Sequence, residues 1–593
     1  MTILANYPIV QPSLNLDFAH SGGVLDPRVT FSRSTTAPYY DGKTSALAEQ
    51  NLLLQSQALT NATYWVTVNS SVTGNSTTAP DGTTTANTIT DNATNGGHRV
   101  YQGGGNLSSA TALTASAYFL QGTGTFGQLG LYDGSAYRTV TANLSTGVIT
   151  ETFGTATSTI TALSGGWYRL TLSFTGGSSN ATLSIGLSNT GTPNGLASYV
   201  GTGSTIYAWN AQLEQRSSAT AYNATTTSAL TNYIPQLLTA PINQPRFDFN
   251  PTTGESLGLL IEQSSTNLSL YSQSFDNAYW NKANATITTG ADIAPDGTQT
   301  MQLFVPNNGA TIGSGTNFSK SVTLSAGSVA LSIYAKAKEL TTFVLQDGSG
   351  QGSQFNVSTG VIVGNIGSGI GSITPVGNGV YRCIVTIASA NANPNYFFYP
   401  TTGTANGYNG IYIWQAQLEA LAFATSPIPT TSAQVTRGSD NESMTGTNFS
   451  SWFNQGQGTL YVESNSYYYY TANFQNIATL WGGNSSTSIT LAAISYRFTS
   501  LINASQVSYY LTTPTANVFY KNVLTFNQTT ALLVSSNNLG NSASPSVPLP
   551  TVTALYLMGN GQSTAFMNNG YIKKLAYYPQ ALTSAQLQAL TGS

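Results

Sequence analysis

Apolar and polar residues alternate with a period of two along nearly the whole chain, in short runs rich in Val, Ile, Thr and Tyr that Gly and Asn clusters interrupt. Helical spacing is absent from every window of useful length before the C-terminus. The pattern predicts an all-β protein of short antiparallel strands. SLNLDF and DPRVTFSRSTTAPYYDGK read as strands near the start, with turns at the Asp26-Pro27 and Asp41-Gly42 pairs. The one helix is expected in ALTSAQLQAL. Thr583 stands three positions before Gln586, the spacing of a capping box, and Leu582, Leu587 and Leu590 give the segment an apolar side that can seal a sandwich.

The same landmarks occur twice. NLLLQSQALTNATYW from Asn51 matches NLSLYSQSFDNAYW from Asn267, and APDGTTTANTIT from Ala79 matches APDGTQTMQLFV from Ala294. GGWYRLTLSF pairs with NGVYRCIVTI, so Tyr168 and Arg169 correspond to Tyr381 and Arg382. Each copy closes on a Trp-bearing strand, at Trp209 in AWNAQLE and at Trp414 in IWQAQLE. The division that follows is an N-terminal arm (1–50), a first module (51–220), a linker and lead-in (221–266), a homologous second module (267–440) and a third, unrelated module (441–593). The fold class is all-β: tandem antiparallel β-sandwich modules of the jelly-roll kind with one short C-terminal helix.

Composition narrows the function. Only 7% of the residues are charged while 11% are aromatic, so low charge here does not mean disorder. A formal net charge of -3 with scattered Lys and Arg provides no basic stripe for nucleic acid. No segment reads as a signal peptide or a membrane span, so no membrane insertion is expected. Cys383 is the single cysteine and reads as a buried strand residue.

DPRVTFSRSTTAPYYDGK, RFDFNPTTGESLGLLIEQSSTNLSLYSQSFDNAYW, APDGTQT and IWQAQLEALAFATSPIPTTSAQVTRGSD resemble recurring segments of tailed-bacteriophage virion proteins of the tail-fibre, head-fibre or appendage type, which carry tandem carbohydrate-binding-like jelly rolls. NGYIKKLAYYPQALTSAQLQAL is similar to the closing strand and helix of concanavalin-like, laminin-G-type sandwiches. The first copy departs from the pattern where ATAYNATTTSA lacks the PIPTT and VTRGSD of the second. The resemblance implies a structural protein on the exterior of the phage particle, made in the host cytoplasm without a signal peptide. It would assemble as a trimer or hexamer, contact other virion proteins through the N-terminal arm, and bind host-surface polysaccharide. A capsid-decorating protein and a polysaccharide depolymerase are the alternatives. The resemblance transfers no active site.

Enzymatic chemistry is hard to assemble from these residues, and no catalytic group or cofactor is assigned. His20 and His98, the only histidines, lack a neighbouring His, Cys or carboxylate at ligand spacing and read as turn or surface residues. Carbohydrate-binding jelly rolls often hold structural calcium through loop carboxylates, but Asp81 and Asp296 lie in Pro-Asp-Gly and read as turn residues. Glu214 and Glu419 recur in QLE and read as structural acceptors. QGGGN and GNIGSGIGS lack the lysine of a phosphate loop and read as plain loops. Sugar binding needs only an exposed ring and amide or carboxylate neighbours, for which Tyr64, Tyr279 and the run Tyr467, Tyr468, Tyr469 and Tyr470 are the candidates. Strand alternation would turn two rings of that run outward. Trp65, Trp280, Trp209 and Trp414 recur as pairs and read as core.

Overall fold

The structure is a computed structural model, described here for all residues except 1–6, 107–111, 176–179, 471–472, 495–496, 512, 536–537, 544–547, 560–566 and 593. The two repeated modules are sandwiches of two six-stranded antiparallel sheets with one strand order. In the first module one sheet runs, from edge to edge, through Val148–Phe153, Tyr137–Asn143, Phe126–Tyr132, Asn180–Ser188, Arg99–Asn106 and Val66–Val68. The facing sheet is centred on Ala112–Gln121 and Thr205–Glu214. In the second module Gly327–Ala337 and Ile411–Glu419 take those central places. Trp65 and Trp280 lie in the two sandwich cores, 2% and 1% exposed. QGGGN forms part of the strand Arg99–Asn106, and GNIGSGIGS runs through parts of the strands Val361–Ile366 and Ile370–Gly377, so neither is a plain loop.

Trp209 and Trp414 are buried elsewhere. Ile206, Ala208, Ala211 and Leu213 all face the first core, so the two-residue period slips once between Ala208 and Ala211. The slip is a β-bulge, with a register shift between Trp209 and Gln212 and Asn210 at φ 55°. Gln415, at φ 53°, repeats it in the second module. Each Trp points to the outer face by simple alternation, and the bulge after it returns the following Ala and Leu to the core. Glu214 and Glu419 also face outward and are each capped by a threonine six residues on. Thr220 N and Thr425 N donate to them at 3.0 Å.

These outer faces are covered differently. On the first, Trp209 packs with Tyr118, Trp167 and the second module's Tyr408. On the second, Trp414 and Tyr334 lie beneath a two-stranded ribbon of Ala37–Asn51 paired with Leu230–Ala240, which inserts Tyr40, Ala48, Ile234 and Leu237.

The third body is a fifteen-stranded set of antiparallel strands folded into a sandwich. Residues 1–50 and 221–266, expected to be an arm and a linker, supply several of its strands. Leu14–Asp17 and Ser256–Ile261 both pair with Gly570–Tyr578, Arg246–Phe249 pairs with Ser256–Ile261, and Thr30–Ser32 pairs with Asn441–Thr445. Leu14, Leu16 and Phe18 enter its core, so this segment is a strand of the sandwich rather than a free arm. The C-terminal helix, Ser584–Thr591, carries the expected capping box and packs Leu587 and Leu590 on the sandwich's outer face. A single helical turn, Thr447–Ser450, was not expected. Among the described residues, no helix is long and apolar enough to cross a membrane.

Where the ribbon, the segment after the second module's closing strand and the third body meet, the chain buries a charged cluster. Arg33 Nη1 donates to Asp440 at 2.9 Å, Arg246 Nη1 to Glu262 at 2.8 Å, and Arg246 Nη2 to Asp440. Arg437 lies 3.6 Å from Glu262, and all five side chains are at most 2% exposed. Burial alone would raise the Glu262 carboxyl, but Arg437 and Arg246 hold it down at about 2. Glu442, two residues beyond Asp440, is buried with no donor to either carboxyl oxygen, and burial with the nearby Asp440 charge raises its pKa well above the carboxylate range.

Candidate ligand groove

The tyrosines chosen from sequence do not form one surface. Tyr467–Tyr470 is not a strand, so its rings do not alternate. Tyr467 packs edge-on against Tyr571, with ring centres 5.8 Å apart, and Tyr468 stacks on Phe423, just after the second module's strand Ile411–Glu419, at 6.4 Å. Tyr469 lies in the third core and Tyr470 against Tyr468. The run joins two bodies. Tyr64 is half-buried against the first core, and Tyr279 is half-buried with the Lys320 ammonium 4.6 Å above its ring. His98, expected at a turn or surface, is 1% exposed, its ring nitrogens 2.6 Å from the Asn69 carbonyl and 3.0 Å from that of Tyr199. Asp81 and Asp296 hold their turns by accepting from Thr83 N and Thr298 N, each at 2.9 Å. Cys383 is buried, which pushes its thiol well up.

The structure brings together a set of residues that the sequence pattern did not single out. In Gly570–Tyr578, Ile572, Leu575 and Tyr577 point into the core, and a register shift at Lys573 sends Lys574, Ala576 and Tyr578 to the outer face. Glu463 and Tyr461 take that face on the next strand, and Lys521 and Val523 on the one after. The register therefore places Asp17, Lys574, Glu463 and Lys521 directly opposite one another across four strands, a row of alternating charge. The adjoining part of the face is apolar and lies under the C-terminal helix. A groove of about 460 Å³ follows this border, with Tyr7, Tyr461, Tyr578 and Leu590 on the apolar side.

Its acids have partners. Asp17 accepts from the His20 ring at 2.9 Å, Glu463 from the Tyr461 hydroxyl at 3.3 Å, and Glu255 from Lys573 at 2.6 Å. Lys573 also sits 4.3 Å above the Phe519 ring. In a chain with so few charges this groove gathers ammonium, carboxylate and phenol at an open surface. It offers donors and acceptors to a hydroxyl-rich ligand.

A second cleft, of about 310 Å³, separates the repeated modules and is lined by Trp209, Tyr222, Tyr408 and Tyr412. Lys336 bridges its Glu49 and Asp292, Lys338 donates to Glu339 at 2.6 Å, and Trp209 is only 2% exposed. A glycosidase sets one protonated against one ionised carboxyl. Here two carboxylates share one ammonium, and no Trp face is open for stacking. Among the described residues, no group of three or more His, Cys, Asp or Glu side chains is arranged to hold a metal ion.

No family model matches the sequence, and no curated protein matches it. Among solved structures, the sialidase CBM40 of Ruminococcus gnavus bound to α2,3-sialyllactose is similar at 15% identity, over 24% of this chain and 88% of that one, with a TM-score of 0.22. The tandem CBM22-1–CBM22-2 of Paenibacillus barcinonensis Xyn10C is similar at 11% identity, over 64% and 99%, with a TM-score of 0.18. Mouse laminin α1 LG4-5 is similar at 8% identity, over 55% and 92%, with a TM-score of 0.18. At such loose superposition these likenesses bear on neither ligand nor activity.

Proposed function

We propose that this chain is an exterior structural protein of a tailed-bacteriophage particle, of tail-fibre or appendage type, that attaches non-covalently to host-surface polysaccharide. The observation that carries the reading is the open groove on the third sandwich, which gathers carboxylates, ammoniums and tyrosines along one face. Resemblance of the junction segments to phage virion proteins supports the setting. The buried arginine cluster supports a structural role, because it ties the ribbon and the end of the second module to the third body. Assembly of copies into a trimer or hexamer is part of the same reading. Contacts with other particle proteins then come from surfaces other than the strands at Leu14–Asp17 and Thr30–Ser32, which are paired inside this chain.

The test has two parts. Purified protein applied to a glycan array and to immobilised host polysaccharide is expected to be retained, with no release of reducing ends. Electron cryomicroscopy of intact particles is expected to place its density at the tail with the third sandwich outward. Release of reducing ends would make the protein a depolymerase, and density over the capsid lattice would make it a decoration protein.

A further inference from the structure

We infer that each repeated module carries its own sugar subsite beside the Trp of its closing strand, and that both subsites take a neutral, hydroxyl-rich sugar. The inference takes the glycan-binding reading above as its setting and adds two sites which that reading does not use. The cleft at Trp209 has a counterpart at Trp414, of about 420 Å³, between the second module and the ribbon. The two are lined from equivalent positions of the repeat: Gln57 and Gln273, Asp81 and Asp296, Trp209 and Trp414. Their far walls differ, since Tyr408 of the second module borders the first, and Pro38 and Leu237 of the ribbon border the second. Residues that served only to seal a seam would change with the cover. These do not.

The module side of each cleft is built round one hydrogen-bond relay. An indole N–H only donates and a carboxylate only accepts, so the relay has a fixed direction. Trp209 Nε1 donates to Thr85 Oγ1 at 3.0 Å, Thr85 Oγ1 to Thr83 Oγ1 at 2.7 Å, and Thr83 Oγ1 to Asp81 Oδ1 at 2.7 Å. Trp414, Thr300, Thr298 and Asp296 repeat it at 3.1, 2.8 and 2.6 Å. Bonds in such a chain polarise one another and hold the carboxylate still. Turn and relay use Oδ1 alone, which an asparagine would supply as well. Among the described residues, Oδ2 of either aspartate accepts from no protein group, and neither Gln57 Oε1 nor the Gln273 side-chain amide has a partner.

The ligand class follows from what is left open. A fixed carboxylate oxygen takes a hydroxyl donor, and the glutamine beside it offers a second acceptor. Tyr222 and Pro427, again at equivalent positions, supply an apolar wall. A ring with hydroxyls on its edge and carbon on its face meets all three. The cations lining the clefts are committed: Lys336 to Glu49 and Asp292, Lys338 to Glu339, and Arg437 to the Gln263 and Gly438 carbonyls. An acidic sugar would set its carboxylate against the fixed aspartate with no free cation to offset it, and is excluded.

The experiment uses the full chain, trisaccharides of glucose, mannose, galactose and N-acetylglucosamine as neutral probes, and trigalacturonate as the acidic one. At least one neutral trisaccharide is expected to bind in calorimetric titration and to slow hydrogen exchange in both 79–85 and 294–300. Asp81→Asn removes the first protection alone and Asp296→Asn the second alone, and the double variant binds at least about tenfold more weakly. Equal melting temperatures show that the asparagine turns fold. Protection that survives in the variants, or equal protection by trigalacturonate, overturns the inference. Exchange unchanged in both turns while a glycan array still retains the protein overturns it and leaves the groove reading intact; retention of no glycan removes both.

Discussion

The two repeated modules share a strand order, a core Trp and a bulged Trp strand, yet they finish their outer faces by different means. Over Trp209 the cover combines Trp167 of the same module and Tyr222 just beyond it with a loop of the neighbouring module, whose Tyr408 packs edge-on against the indole, ring centres 6.1 Å apart. Over Trp414 the cover is the long ribbon that joins the N-terminal strands to the lead-in. One sequence feature, repeated, serves two interfaces. Recurrence inside a chain marks a position that must be buried, but it does not reveal whether the burial is in a core or under a neighbour.

The sharpest way to break the comparison is at the arginine cluster, which neighbours only the second cover. Arg246→Ala leaves Glu262 and Asp440 without their principal partner in a site excluded from water, and the expected loss is about 3–5 kcal/mol. Arg246 Nη1 also donates to the Pro38 carbonyl in the ribbon. Hydrogen exchange is therefore expected to rise first in the ribbon and the second module, leaving the first module protected. Uniform exchange across both modules would show that the cover is not held by the cluster.

Trp65→Ala and Trp280→Ala test the shared part. Each removes a fully buried indole from an equivalent core, and each is expected to cost about 3–5 kcal/mol by denaturant unfolding. A smaller effect is expected from Tyr408→Ala, which removes the ring against Trp209 and the ring beneath the Lys338 ammonium, 3.7 Å away. Aromatic pairs contribute about 0.5–1.5 kcal/mol beyond burial. The readout is indole emission, which should shift to the red as Trp209 becomes wet while the second module's exchange stays unchanged.

The subtlest distinction is in pH. Glu442 and Asp248 are both raised by burial, Asp248 to about 6. The folded state holds these protons more tightly than the unfolded chain, so their stabilisation is complete below the unfolded carboxyl range and is lost as pH rises through the folded values. Glu262, held at about 2, acts in the opposite sense, its contribution present above the unfolded value and lost as pH falls toward 2. Glu442→Gln, neutral at every pH, is expected to flatten the alkaline side of a plot of Tm against pH and leave the acid side unchanged. An unaltered alkaline slope would show that Glu442 is already ionised in the folded protein.

Much of the architecture was legible in the sequence, because period-two alternation and the paired landmarks report local structure directly. The capping box at Thr583 reports the helix in the same way. What the pattern missed involves either a change of parity or a distant partner. The bulges at Asn210 and Gln415 shift the face of the residues after them, and nothing in the alternation signals the extra residue. The Tyr467–Tyr470 run looked like an alternating strand, yet its rings pack against Phe423 and Tyr571 from distant segments. The groove row joins Asp17, Glu463, Lys521 and Lys574, whose neighbourhood depends on register alone. Arg33, Arg246, Glu262 and Asp440 each stood inside a segment singled out for its resemblance, and only the fold shows that those segments meet.

The pairing of Leu14–Asp17 with Lys574–Tyr577 has a consequence for synthesis. A ribosome moving at about 5–20 residues per second leaves the first strands without their partner for roughly half a minute to two minutes. Both repeated modules have left the exit tunnel by then and can close their own cores. Leu14, Leu16 and Phe18 wait without their partner strand meanwhile, so their docking follows the synthesis of both repeated modules.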